Sequence, residues 1–454
     1  MVAAGGLSAA LGAAVWLTLA AAQRPSLLSP PTQRADPSWL RAPLSGLLPH
    51  LATDPARLHR DLTAALLVMF AGWLLAWAAA PSLPLRAVAA ATGLAQVVMV
   101  LGPPQPLTDT FNYIVYGQMA AHGVNPYLHV PAQYAHGAAY TLSNWHHLPS
   151  PYGPLFTLLS EPLARLPLPA AYWTWKLVVL ASSLGILAGV GALAVRLGRS
   201  PQRALACVGL CPLTLAVGVG GLHNDAPALL CLVAATLLIV RTRDDTGAGG
   251  GWNALAGALA VAAAGLKPSF AIAVPLVVLG ARHRTWALAG AAWSAAAVVA
   301  VVVVAFGGAL PAIGLQDRIV TPLSIPNLAG WAIGHGGADA PVRGAARAVL
   351  AAAVAVACIV VARSRDRFTP ALGLVLFAAV LTLPWVMPWY LAWSLPFAAL
   401  ASPRALVPIA VLGCLWLGVG GVPQMPRLLH DAGFYPTTSA TGLANHDLEV
   451  QLVR

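Results

Sequence analysis

Trp286–Gly308 reads WALAGAAWSAAAVVAVVVVAFGG, and it carries no charged side chain. A helix needs roughly 20 apolar residues to cross the hydrocarbon core of a bilayer. Comparable runs recur along the chain, clearly at Leu62–Pro81, Leu85–Gly102, Leu177–Val195, Gly344–Val361 and Ala405–Gly421. Shorter or interrupted ones follow at 204–218, 226–240, 253–266, 269–281, 371–385 and 389–401. With the N-terminal segment the expectation is an all-α, polytopic membrane protein of about 13 transmembrane helices, because backbone amides in lipid must bond within their own segment. Ala and Gly are abundant inside these runs, which lets neighbouring backbones approach closely.

Composition agrees. Of 454 residues 59% are hydrophobic and 9% charged, and the mean hydropathy is +0.76. Soluble domains carry about 25% charged residues. The net charge of +11 is no nucleic-acid footprint, because its arginines fall in short turns between apolar runs rather than along one face. Met1–Ala22 resembles a signal peptide at Ala20-Ala21-Ala22-Gln23, but no basic residue precedes its apolar run, so a retained first helix is expected. Cys207, Cys211, Cys231, Cys358 and Cys414 all lie in apolar segments and read as buried small hydrophobes, neither a disulfide framework nor a metal site.

Counting arginines orients the chain. The turns at 196–203, 241–252, 282–284, 363–367 and Arg404 are short and basic, and belong in the cytoplasm. Alternation then places 103–171, 221–225, the Lys267-Pro268 turn, 309–343, 384–388 and the tail from Val422 outside. Residues 24–61 break the rule with five arginines, as long loops do. The expected organisation is N-terminal helices and an external loop (1–102), an external catalytic loop carrying short surface helices (103–171), a helix bundle with its own external loop 309–343 (172–421), and a polar tail (422–454). No phosphate-cradling Gly-rich loop lies on the inner side; Gly247–Gly251 reads as a flexible turn. An enzyme built this way needs a donor already in the membrane.

Acidic residues are few enough to weigh one by one. Of 14, those expected outside and near helix ends are Asp109, Glu161, Asp225, Asp317 and Asp339. Asp109 opens Asp109-Thr110-Phe111-Asn112-Tyr113-Ile114-Val115-Tyr116-Gly117, where helical spacing puts Asp109, Tyr113 and Tyr116 on one face. A carboxylate beside two phenols suits a sugar platform with a general base; a helix cap is the plain alternative. Asn125-Pro126-Tyr127 and Ser150-Pro151-Tyr152-Gly153-Pro154 follow in the same loop, with His129, His136, His146 and His147 between them. His223-Asn224-Asp225 stands at the mouth of two apolar runs, a costly placement whose default meaning is function, with capping again the alternative. Lys267 interrupts an apolar run before the helix-breaking Pro268. It either snorkels to the interface or binds a lipid phosphate. Pro388-Trp389-Tyr390 ends a broken, aromatic-rich pair, and the 309–343 loop adds Arg318, Asn327 and His335 as possible phosphate contacts.

Taken together and in this order, Asp109–Gly117, Asn125-Pro126-Tyr127, Ser150–Leu155, Gly221–Asp225, Lys267-Pro268 and Pro388-Trp389-Tyr390 resemble the GT-C membrane glycosyltransferases. The likeness is greatest to the actinobacterial polyprenol-phosphate-mannose-dependent α-1,6-mannosyltransferases. It covers about residues 103–421; the segment before Pro103 shows no matching motif. The resemblance implies a GT-C-like bundle in the plasma membrane, working on the extracytoplasmic side in cell-envelope glycan synthesis such as lipomannan. It implies a polyprenyl-phosphate sugar donor, with mannose as the sugar, and a glycolipid or polysaccharide acceptor. Asp109 takes the place of the catalytic base in an inverting transfer. Tyr113, Tyr116, Asn125, Tyr127, Tyr152, His223, Asn224, Asp225, Trp389 and Tyr390 are expected to bind substrate, and Lys267, Arg318 and His335 the donor phosphate. Membrane lipid is the expected surrounding; no metal, cofactor or nucleic acid is expected. A secondary transporter or flippase would also have broken helices and buried polar groups. Here those groups cluster on one side and no inverted repeat is visible.

Overall fold

The computed structural model describes residues 1–23, 37–41, 43–47, 54–105, 108–134, 137–243, 249–401, 406–422, 425–435 and 438–453. Arg24, Asp36, His136, Asp244, Asp245, Gly247, Ala248 and Arg404 therefore lie outside the described residues. Helix is the regular structure of the described residues, joined by turns, and they contain no strand.

Five described helices are long and apolar enough to cross a membrane: Val2–Ala21, Ala56–Ser82, Leu168–Arg196, Arg284–Phe306 and Ala340–Arg363. A sixth arises if Pro201–Gly209 and Leu213–Val219, bent by 49° at their junction, form one span. The count expected from apolar runs is higher because several runs fold as shorter pieces. Gly250–Leu266 stops at Lys267, whose backbone is extended (φ −139°, ψ 110°), as the residue before a proline favours. Pro268–Ala273 then forms a 3₁₀ turn and Val274–Gly280 a short helix. Phe368–Thr382 likewise ends before Pro384, and the chain resumes as Pro388–Trp393 and Leu395–Leu400.

Small residues set the helix spacing. A Cβ on Gly257 would lie 1.9 Å from the Ala287 carbonyl oxygen, and one on Gly290 would lie 1.8 Å from that of Ala254. The backbones of Gly250–Leu266 and Arg284–Phe306 thus touch, a packing open only to glycine at those positions. Outward-facing Trp293, Val299, Val303 and Val304 on the latter helix stay exposed, as a lipid-facing surface requires.

Two sets of turns gather separately. The arginine turns bind one another: Arg282 donates to the Arg243 carbonyl (2.8 Å), Arg243 to that of Arg365 (3.1 Å), and Arg284 to that of Ala362 (3.0 Å). The loops expected on the other side are stapled in the same manner. Gln105 N–H reaches the Gly220 carbonyl (3.0 Å), Gly153 N–H that of Leu266 (3.2 Å), Ala312 N–H that of Ser150 (3.0 Å), and Thr321 N–H that of Pro384 (2.9 Å). The tail is no loose appendage. Its helix Ala440–Val453 clamps the 309–343 loop through Asn445, which bonds both the N–H (2.5 Å) and C=O (2.8 Å) of Val320.

Replacing Gly257 by leucine should force the Gly250–Leu266 and Arg284–Phe306 helices apart at a cost of about 1–3 kcal/mol, the usual range for overpacking. Thermal unfolding of the detergent-purified protein should show a lower Tm than the wild type; an unchanged Tm would contradict the backbone contact.

Candidate functional site

The helix breaks converge on one small cavity of about 60 Å³. Asp109 is the first residue of the Asp109–Ala121 helix, and its side chain caps nothing. One carboxylate oxygen accepts from the indole N–H of Trp145 at 3.1 Å, and the other faces His223 Nδ1 at 3.4 Å. Asn224 and Asp225 likewise make no side-chain cap for the helix that begins at Asp225. The capping alternative therefore fails at both positions.

His223 is held face to face against Trp389, with ring centroids 3.6 Å apart and planes 9° from parallel. It follows Leu222, the one non-glycine with positive φ (58°) among the described residues. This left-handed kink is costly for a bulky side chain and marks a constrained turn. Trp175 buttresses it by donating to the Leu222 carbonyl at 2.8 Å. Gly221 sits beneath the imidazole: a Cβ there would lie 2.4 Å from His223 Nε2.

Lys267 and Asp225 form a buried ion pair at 2.7 Å, and Trp393 donates its indole N–H to the same Asp225 oxygen at 2.5 Å. The ammonium lies over the rings of Tyr390 (4.7 Å) and Trp393 (5.3 Å), within cation–π reach. Lys267 thus does not snorkel. An ammonium has three donor hydrogens and Asp225 takes one, so the group keeps capacity for a second anion. Tyr113 reaches the cavity with its hydroxyl accepting from the Asn224 N–H at 3.2 Å. Its ring meets Tyr152 edge to face at 5.0 Å. Burial first, and then the charge of Asp109, hold the phenols of Tyr113 and Tyr152 well above the usual tyrosine range, so both act as neutral hydrogen-bonding groups.

The structure therefore brings Asp109, Tyr113, Tyr152, His223, Asn224, Asp225, Lys267, Trp389 and Tyr390 to one cavity. Three other candidates stand behind it. Tyr116 donates to the Leu148 carbonyl (2.8 Å), Asn125 to that of Phe306 (2.6 Å), and the Tyr127 hydroxyl bonds Thr157 (2.9 Å) and the Tyr152 carbonyl (3.0 Å). They fasten the loop. Arg318 and His335 are not brought to the cavity. Gln316 and Ile319 line it, while Arg318 between them is not among its walls; His335 is tied to Asp339 at 2.7 Å. The other carboxylates expected outside are also spoken for, Asp317 by Arg347 (2.6 Å) and Glu161 by Arg165 (3.4 Å). No site role was expected of Trp145 and Trp393, the indole donors to the two carboxylates, or of Leu452 in the C-terminal helix, which shares one apolar cluster with Trp145 and Trp385. Among the described residues, no group of three or more His, Cys, Asp or Glu side chains is placed to hold a metal ion.

A family model described as "Alpha-(1->6)-mannopyranosyltransferase, N-terminal domain" matches residues 11–283. The chain belongs to this family. The matched stretch contains Asp109, His223–Asp225 and Lys267, so the mannopyranosyltransferase-family region supplies both carboxylates and the cation of the cavity. An alpha-(1->6)-mannopyranosyltransferase of Mycobacterium tuberculosis is 29% identical over 153 residues, which cover 32% of this chain and 26% of that protein. A relative from Mycolicibacterium smegmatis, named as a probable alpha-(1->6)-mannopyranosyltransferase, is 31% identical over 156 residues, 33% of this chain and 28% of its own. The alignments thus span little more than a quarter of either relative's length. No solved structure matches the chain.

Asp225→Asn should leave the Lys267 ammonium buried without its counter-charge and cost about 3–5 kcal/mol, while Asp225→Asn combined with Lys267→Met should recover most of that loss. Unfolding of the single and double variants in detergent measures the coupling; equal stability of Asp225→Asn and wild type would show that the pair is not formed.

Proposed function

We propose that this family member is an inverting mannosyltransferase that takes mannose from a polyprenyl-phosphate carrier and delivers it to a glycolipid or polysaccharide acceptor. The observation that carries the reading is a carboxylate, Asp109, and a cation, Lys267, lining one cavity in a chain of this family. The two groups divide the chemistry. Asp109 accepts the proton of the acceptor hydroxyl as its oxygen attacks the anomeric carbon. The glycosidic C–O bond to phosphate breaks on the opposite face, and the lipid phosphate leaves with the bonding electrons. A base serves this step only within hydrogen-bond reach of the hydroxyl, and a leaving phosphate is stabilised by a fixed cation in a water-poor site. Lys267 supplies that cation; its pairing with Asp225 holds it in place before the donor arrives. The parallel His223–Trp389 stack adds a flat aromatic wall of the kind that packs against a pyranose.

The lipid part of the donor has a candidate path. A mostly apolar groove of about 380 Å³, lined by Leu323, Trp416, Leu417 and Phe434 among others, shares Met387 with the polar cavity. Its apolar walls suit an isoprenoid tail whose phosphate reaches Lys267. We place the chain in the plasma membrane as a multi-pass, GT-C-like bundle with this cavity on the extracytoplasmic side. The arginine turns, gathered away from the cavity, support that orientation.

Asp109→Asn keeps the size of the side chain and its bond from Trp145 but removes the base. Transfer from radiolabelled polyprenyl-phosphate mannose in isolated membranes should fall by about 10²–10⁴-fold with the protein still folded. Undiminished transfer would overturn the assignment of the base.

A further inference from the structure

One wall of the cavity packs apart from the main core. Trp145, Leu148, Ile319 and Trp385 all line the cavity and form an apolar cluster of their own, which Leu452 completes. Leu452 is 5% exposed, in a helix whose other residues stay at least partly exposed. Segments distant in sequence meet there: the 103–171 loop brings Trp145 and Leu148, the 309–343 loop brings Ile319, and the 384–388 turn brings Trp385. The last two segments and the helix Ala440–Val453 all lie beyond the stretch 11–283 that matches the family model.

The helix presents one working face. Thr441, Asn445, Leu448 and Leu452 recur at helical spacing and so lie in one stripe. The first half of the stripe is polar and bonds loop backbone. The Thr441 hydroxyl donates to the His335 carbonyl (3.3 Å), and Asn445 holds both the N–H and the C=O of Val320. The second half is apolar: Leu448 packs on the cluster and Leu452 enters it. The Leu452 carbonyl also accepts from the His147 N–H at 2.9 Å. Backbone and side chain of Leu452 thus both engage the 145–148 stretch.

Trp145 links this wall to the chemistry, because its indole N–H donates to the Asp109 carboxylate at 3.1 Å. The Asn112 side chain fixes the Trp145 backbone, donating to its carbonyl (3.0 Å) and accepting from its N–H (3.3 Å). Backbone bonds alone do not choose the rotamer of a side chain. The surrounding cluster does, with the Trp385 ring edge to face at 5.9 Å and Leu452 closing the set. We propose that the helix Ala440–Val453 is part of the catalytic machinery and that Leu452 is a positioning residue. It seats the Trp145 indole, and the indole aims the Asp109 carboxylate. Misplacing a reacting group by about 1 Å costs on the order of 10²-fold in rate, so a contact this far from the chemistry matters. The effect on rate rests on the reading of Asp109 as the base; the seating of the wall does not.

The test reads packing and rate on the full chain. Leu452→Ala should speed hydrogen exchange of the His147 amide in detergent, which reports local opening. It should also lower kcat for mannosyl transfer roughly tenfold with the donor KM unchanged, and Leu452→Met, which refills the space, should restore both. In a Trp145→Phe background the indole donor is already gone, and Leu452→Ala should then add no more than about twofold. If Leu452→Ala does not fold, Asn445→Ala, which releases Val320 from the same face, should give the same split between kcat and KM. A folded variant with wild-type kcat, or losses that multiply in the double variant, would overturn the proposal. Wild-type membranes that transfer no mannose at all would instead sink the functional reading, and exchange at His147 would still decide whether the helix holds this wall.

Discussion

A lysine within an apolar helix run must find an anion, and here the search organises the molecule. The Lys267–Asp225 bond at 2.7 Å joins the break after Gly250–Leu266 to the break before Asp225–Arg241. Trp393, from a third broken segment, donates to the same carboxylate. An ion pair in such surroundings adds little net stability, since desolvating both partners offsets most of their attraction. What it provides is registry. Three discontinuous helices have one arrangement that leaves no buried charge alone, and that arrangement also sets the back wall of the cavity.

Asp109 is held by different means. The Trp145 indole N–H donates to one of its oxygens, and His223 Nδ1 faces the other at 3.4 Å. Its carboxylate is thus oriented by an indole and an imidazole, not by a lysine or arginine. The two acidic residues of the cavity thereby differ in surroundings: Asp225 is paired with an ammonium, and Asp109 faces an indole and an imidazole. The loop staples at Gly153, Tyr116, Asn125 and Tyr127 bring the Asp109 side and the Lys267 side together.

Much of this was legible in the residues. Helical class follows from uninterrupted apolar runs such as Trp286–Gly308, and the polar constellations stood out because each is costly in its setting. The scarcity of acids made elimination workable, and the structure ties Asp317 and Glu161 each to an arginine outside the cavity. What stayed hidden has physical reasons. Short runs broken by proline look like spans until their ends are seen. Tyr116, Asn125 and Tyr127 sit in the same motifs as the cavity residues, yet a one-residue rotation along a helix or turn decides whether a side chain faces a cavity or a carbonyl. Arg318 and His335 have the charge that a phosphate needs, but charge in a sequence says nothing of direction. Trp145, Trp393 and Leu452 act through contacts across distant parts of the chain, which no local pattern records.

The central claim is spatial: one cavity receives a sugar at Asp109 and a lipid phosphate at Lys267. The most direct measurement is a structure of the full chain bound to a non-transferable polyprenyl-phosphonate mannose analogue. The account predicts phosphonate oxygens within hydrogen-bond distance of Lys267 Nζ, the tail in the Trp416–Phe434 groove, and the mannose ring between Asp109 and Trp389. Analogue bound elsewhere, with the cavity between Asp109 and Lys267 unoccupied, would contradict it.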